Sequence, residues 1–120
     1  MKRIYLLRHG KAESPSGSGD HDRVLAPRGL SDSMEVGDWM AAQEMLPDQV
    51  LVSSAVRTRQ TFERWQVGAR WGGSPEIDDE LYLATSDGIC ARIAALDDAC
   101  QSVLVIGHNP GLEITVRHLS

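Results

Sequence analysis

Three short apolar runs punctuate the chain: Ile4–Leu7, Val50–Val52 and Val103–Ile106. None alternates polar with apolar residues, which is how strands covered on both faces of a parallel sheet read. Between the runs the apolar spacing turns helical. From Ser31 to Leu46, Met34, Met40, Ala41 and Met45 recur at helical intervals, and Pro47 is the expected stop. After Ser53-Ser54, the residues Ala55, Phe62, Trp65 and Ala69 share one helical face. Ser86 is the expected cap of a third helix reaching Leu96, with Ile89, Ile93 and Leu96 on its inner side. Ile77–Leu83 adds a further short strand. Strands alternating with helices predict one α/β domain over 1–120, with helices on both faces of a mainly parallel sheet. Ser14–Gly19 and Trp71–Pro75 read as loops, and no internal repeat occurs.

Composition narrows this little. A chain of 120 residues buries roughly 65% of its unfolded surface, enough for a core without disulfides or metal. No purely apolar run exceeds four residues, so no transmembrane helix is expected. Ile4–Leu7 is cut off by Arg8 too early for a signal peptide. The net charge of −5 and pI near 5.2 argue against nucleic-acid and anionic-membrane partners. Yet ten arginines stand against two lysines. Arg makes planar two-pronged contacts to phosphate or carboxylate, so an Arg-lined pocket is one reading, and a GC-rich coding bias is the other. Cys90 and Cys100 form neither a C-x-x-C nor a zinc pattern, which fits a reduced, cytoplasmic setting.

Ligands of open α/β sheets bind outside the carboxyl ends of the strands, so the residues after each apolar run are the place to look. Arg8-His9-Gly10-Lys11 follows the first run, and Ser53-Ser54 the second, with Arg57 in the next helix's first turn. Gly107-His108-Asn109-Pro110-Gly111 follows the last. Two arginines can clamp a phosphoryl group. A neutral imidazole can attack it, and a second can donate a hydrogen bond or proton. Gly10 and Gly107 either admit a ligand to the backbone or simply turn the chain. Arg57 opposes its helix dipole at a cost of about 0.3–1 kcal/mol if exposed, a sign that a bound anion reverses. Arg57 is expected outside the core.

These residues resemble a known family. Leu7-Arg8-His9-Gly10 resembles the R-H-G signature of the histidine phosphatase superfamily, the phosphoglycerate-mutase-like enzymes. Ser53-Ser54-Ala55-Val56-Arg57-Thr58-Arg59-Gln60-Thr61 is similar to that family's S-S-x-x-R-x-x-Q-T segment, and Val103–Pro110 to its late strand and second histidine. The short length, Lys11-Ala12-Glu13 and Asp79-Glu80-Leu81-Tyr82 are similar to the small SixA-type phosphohistidine phosphatases. The resemblance implies a phosphoglycerate-mutase-like three-layer fold and hydrolysis of a phosphohistidine protein or a phosphomonoester. His9 is then the phosphorylated nucleophile, and Arg8, Arg57 and His108 hold the phosphoryl oxygens. Arg23 is an auxiliary contact or a solvated loop residue. Glu80 is the nearest candidate acid, although the wider family's acid follows the leucine that Leu81 matches. A broad phosphomonoesterase and a non-enzymatic phosphate-binding or phosphorelay module are the alternatives. No cofactor and no metal is implied. The family continues past its second histidine through more structure than the residues up to Ser120 supply, so a missing C-terminal strand and an open sheet edge are expected.

Other residues take plainer readings. His21 and His118 are expected on the surface, Cys90 in the core, and Trp39, Trp65 and Trp71 in packing. A metal at Asp20, His21 and Asp22 is not expected, because no strand or helix frames them.

Overall fold

The computed structural model describes residues 3–14 and 19–108. Four parallel strands, β1 (Arg3–Arg8), β2 (Gln49–Ser53), β3 (Glu76–Asp78) and β4 (Ser102–Gly107), form one sheet in the order β1-β4-β2-β3. Helices α1 (Pro27–Ala42), α2 (Val56–Ala69) and α3 (Ser86–Ala94) make the crossovers. The last strand slots between the first two, so β1, β4 and β2 end side by side. Among the described residues, no helix is long and apolar enough to cross a membrane.

Strand alternation divides the core into two halves. Val50, Val52, Leu104 and Ile106 face α1 and α2, where they meet Met40, Phe62, Trp65 and Ala69. Leu51, Val103 and Val105 face the other way, onto Leu81 and onto Ile89 and Ile93 of α3. Both faces of the sheet are therefore apolar, and the three layers follow. Helices α1 and α2 cross closely enough to require two glycines. A Cβ on Gly37 would lie 2.2 Å from the Trp65 carbonyl oxygen, and one on Gly68 2.0 Å from that of Met34.

Several expectations about the elements need correcting. Helix α1 runs Pro27–Ala42 rather than Ser31–Leu46. Pro27, whose fixed φ suits a first helical turn, begins it. Pro47 does not end it. Glu44 takes a left-handed φ of 57°, while its N–H and that of Met45 close on the carbonyls of Ala41 and Met40, a Schellman turn. Helix α2 ends in the same way at Arg70, with φ 54°. Thr85, not Ser86, caps α3, its hydroxyl accepting from the Gly88 N–H at 3.2 Å. Trp65 and Trp71 pack as expected, but Trp39 is 55% exposed on the outer side of α1, one position round from buried Met40. The expected open edge after Gly111 and the reading of His118 lie outside the described residues.

Candidate active site

Strand β1 delivers His9 to the carboxyl edge of the sheet, where its N–H bonds the Gly107 carbonyl at the end of β4 (3.1 Å). Gly10 then turns against α1: a Cβ there would lie 2.7 Å from the Gly29 carbonyl oxygen, so the glycine serves the chain's own backbone. The Gly10 N–H donates to Thr61 Oγ1 (3.1 Å), which itself donates to the Arg57 carbonyl (2.8 Å). Strand β2 leads into Ser53-Ser54, and Thr58 Oγ1 and Arg59 Nε brace that corner from α2 by donating to the carbonyls of Ser53 and Ser54 (2.7 and 3.0 Å). The Gln60 side chain accepts from the Leu25 N–H at 2.7 Å and ties in the loop before α1. This polar segment is the brace that aims Arg57.

Arg57 is the centre of the site and is only 3% exposed, against the expectation that it lies outside the core. Its Nε–H points at His9 Nε2 (3.4 Å), Nη1 donates to the Asp20 carbonyl (2.7 Å), and Nη2 reaches Asp20 Oδ2 (3.1 Å) and His108 Nδ1 (3.3 Å). Burial is tolerable because the fork is met by acceptors on nearly every side.

These contacts fix both imidazole tautomers. A carbonyl only accepts, so the 2.7 Å bond between His9 Nδ1 and the Gly10 oxygen puts the proton on Nδ1 and leaves a lone pair on Nε2. For His108, Nδ1 accepts from Arg57, and Nε2 donates to Ser53 Oγ (2.8 Å). The two rings lie 5.3 Å apart between centroids. Burial lowers the pKa of His9, reinforced by the cations Arg57, Arg8 and Arg23 and opposed by the Gly10 bond. Burial and Arg57 press His108 down to about 4. Both imidazoles are neutral at pH 7.

A cavity of about 640 Å³ opens over this cluster. Arg8, Lys11, Arg23, Arg28 and Arg57 line it against the carboxylates of Asp20 and Asp32, a cationic hollow in an acidic chain. Among the described residues, no group of three His, Cys, Asp or Glu side chains is arranged to hold a metal. Arg8, His9, Arg23, Arg57 and His108 all line the cavity. Glu80 does not. It is exposed in a short 3₁₀ turn (Asp79–Leu81), where Leu81 rotates inward and Glu80 borders a separate hollow beside Ala91 and Arg92.

Sequence reasoning missed Asp20, His21 and Tyr82. The Tyr82 hydroxyl donates to Asp20 Oδ2. That bond, with those from Arg23 and Arg57, holds the Asp20 carboxyl at about 2. His21 was expected to be a plain surface residue, but its Nε2 meets Ser54 Oγ (3.1 Å) and its ring stands edge-on to Tyr82 (4.9 Å). The one clue in the sequence was the three-residue spacing of Asp20 and Arg23, which form an ion pair of 3.3 Å.

Known proteins match this chain along most of its length. The model of the histidine phosphatase superfamily (branch 1) matches residues 4–82. Phosphohistidine phosphatase SixA of Escherichia coli K12 is 32% identical over 118 residues, covering 97% of this chain and 73% of SixA. An uncharacterized protein of Mycobacterium tuberculosis H37Rv is 36% identical over 104 residues, covering 87% of this chain; the match spans only 63% of that relative's length. A crystal structure of a candidate SixA phosphatase from Agrobacterium tumefaciens superposes with a TM-score of 0.91 at 38% identity, over 98% of this chain and 75% of that one. The strand order, the three segments gathered at one sheet edge and these matches agree: the chain belongs to the histidine phosphatase superfamily, among its SixA-type members.

Proposed function

We propose that the chain is a phosphatase that moves a phosphoryl group from a phosphorylated protein to His9 and then to water, with phosphohistidine as the favoured substrate. The observation that carries this reading is the unprotonated Nε2 of His9, on a ring that lines the cavity, whose lone pair accepts from the Arg57 Nε–H at 3.4 Å until a phosphoryl group takes that donor's place. The lone pair attacks phosphorus, the bond from phosphorus to the leaving group breaks, and the leaving group takes a proton from solvent. Water then attacks the phosphohistidine, the P–Nε2 bond breaks, and the electron pair returns to Nε2. Arg57, Arg8 and Arg23 carry the charge of the phosphoryl oxygens, a task that needs planar donors rather than a metal ion. Neutral His108, held by Arg57 and Ser53, shapes the same cradle. The imidazole of a phosphohistidine leaves readily, which suits a cavity that Glu80 does not line. The likeness to the phosphohistidine phosphatase SixA of Escherichia coli supports the substrate choice. A cytoplasmic setting accords with a chain whose two cysteines, Cys90 and Cys100, form neither a C-x-x-C nor a zinc pattern.

The test is capture of the intermediate. With a ³²P-labelled phosphohistidine peptide and an alkaline quench, label is expected on the peptide that contains His9. That label should be lost in acid, as a phosphoramidate is. His9→Ala should remove both label and turnover, a loss of at least about a thousandfold. Label on Ser53, Ser54 or His108, or substantial turnover by His9→Ala, overturns the mechanism. A single stoichiometric burst without further release would instead mark a phosphorelay module.

A further inference from the structure

Leu83 is out of place on two counts. Its φ of 53° lies in the left-handed region, where a leucine Cβ crowds the backbone and glycine or asparagine is usual. Its side chain is 57% exposed, so no burial offsets that strain. The neighbours explain how it is held. Leu81 is anchored in the core beside Ile89 and Ile93. The Tyr82 hydroxyl is tied to Asp20, and its ring stands edge-on to His108 with centroids 5.5 Å apart. The backbone directly after these anchors leaves Leu83 on the wall of the cavity that contains His9, Arg57 and His108. Among the described residues, apart from Ala12 and Gly10, every other residue lining that cavity is charged or an imidazole. The Ala84 N–H closes on the Leu81 carbonyl (3.3 Å), a turn whose third residue takes a positive φ. Folding thus accounts for the backbone, but it does not account for a large apolar side chain exposed on a polar wall.

We infer that Leu83 is a specificity-determining residue: it packs against the leaving group of the bound phosphoryl compound and favours a flat ring over a hydroxylated chain. The inference rests on the proposed phosphoryl site. In an in-line transfer to His9 Nε2, the leaving group departs on the side away from the imidazole, toward the open mouth of the cavity. Leu83 is the large aliphatic side chain among the described residues that line this cavity. A ring sheltered on leucine loses water at a gain, whereas a hydroxylated group would leave its hydrogen bonds unmet.

Binding of two phosphonates tests the inference without turnover. The wild-type chain is expected to bind phenylphosphonate more tightly than methylphosphonate. Leu83→Gly removes the wall and relieves the backbone, so the fold should hold, with a thermal midpoint no lower than wild type. The variant should narrow the phenyl-to-methyl gap by about three- to tenfold and leave methylphosphonate affinity within about twofold. Leu83→Ala should fall between. Equal weakening of both ligands, an unchanged gap, or binding of neither ligand overturns the inference. Turnover separates it from the proposed activity. A Leu83-dependent gap without phosphate release from any substrate sinks the phosphatase reading alone. Normal turnover with an unchanged preference for phenyl phosphate over glycerol phosphate sinks the role of Leu83 alone.

Discussion

Two regions of the sheet each hold a half- or fully buried arginine, and they use it in opposite ways. Against the edge strand β3, Arg92 of α3 is shared between two carboxylates, Glu76 and Asp78, the latter at 2.6 Å from Nε. Those partners outweigh its burial and keep it firmly protonated. Beside it, the Asp48 carboxylate accepts the N–H groups of Gln101 and Ser102 (2.8 and 3.2 Å) and closes the end of β4. Every charge there is answered by the protein itself. At the carboxyl ends, Arg57 is more deeply buried, yet it has one carboxylate partner, Asp20, and two neutral imidazoles. Five cations and two carboxylates line the cavity above it. An arginine with two carboxylates is a structural tie; one with a single, partly solvated carboxylate leaves positive potential for an anion to use.

Replacing each arginine by lysine is the hardest test of that contrast. Lysine keeps the charge and loses the planar fork. Arg57→Lys should lower kcat/KM by about 10²–10³ with the chain still folded, since lysine retains a buried cation near Asp20. Because Arg57 is buried, a modest fall in thermal midpoint accompanies it. Arg92→Lys should change kcat/KM by less than about twofold and cost about 1 kcal/mol of stability. Similar losses of activity in both variants, in steady-state assays on one phosphoryl substrate, would erase the distinction between the two regions.

Acid should act on one region more than the other, because the carboxyl end of the sheet holds His9 and His108. The pKa of His9 lies below 6.5. Below it, kcat/KM should fall about tenfold per pH unit as the nucleophile is protonated. Stability follows the same sign. His108 takes up its proton at about 4 in the folded chain against 6.5 when unfolded. The unfolded chain therefore binds more protons between those values, and stability present above pH 6.5 is lost as pH falls toward 4. Urea midpoints at pH 7 and pH 5 should differ more in wild type than in His108→Asn. An equal drop in both would mean that the imidazole is not the group responsible.

Three of the four strands and the edge that gathers the candidate residues were legible for one physical reason, whereas β3, expected over Ile77–Leu83, forms only at Glu76–Asp78 before a 3₁₀ turn. Doubly covered strands are unbroken apolar runs, and parallel strands bring their carboxyl ends together, so Arg8, His9, Arg57 and His108 could be gathered from their positions alone. The helix ends were not legible, because Glu44 and Arg70 take left-handed turns without the glycine that usually announces them. Asp20 and Tyr82 stand 62 positions apart and meet through loops whose course no local pattern encodes. Glu80 lies off the cavity because a 3₁₀ turn directs Leu81 into the core and its neighbour outward, which no local pattern announces.

The smallest expected effect is also the one with opposite sign. Asp20 is a carboxylate throughout the physiological range, its pKa held at about 2 by the Tyr82 hydroxyl and by Arg23 and Arg57. Its Oδ2 occupies donors that a phosphoryl oxygen would use on Arg57. An arriving phosphoryl dianion thus meets a like charge already seated on the arginine. Asp20→Asn removes that charge, while its backbone carbonyl still receives Arg57 Nη1, as it does now at 2.7 Å. Two like charges some 6 Å apart in a partly solvated site oppose each other by about 1 kcal/mol. Inhibition by orthovanadate should therefore tighten roughly fivefold, and the gain should shrink as salt is added. Asp78→Asn, which frees a charge on Arg92 beside the edge strand β3 and off the cavity, should leave vanadate inhibition unchanged. Weaker inhibition in Asp20→Asn would mean that the carboxylate aims the Arg57 fork rather than competing for it, and the two regions of the sheet would then differ less than their charges suggest.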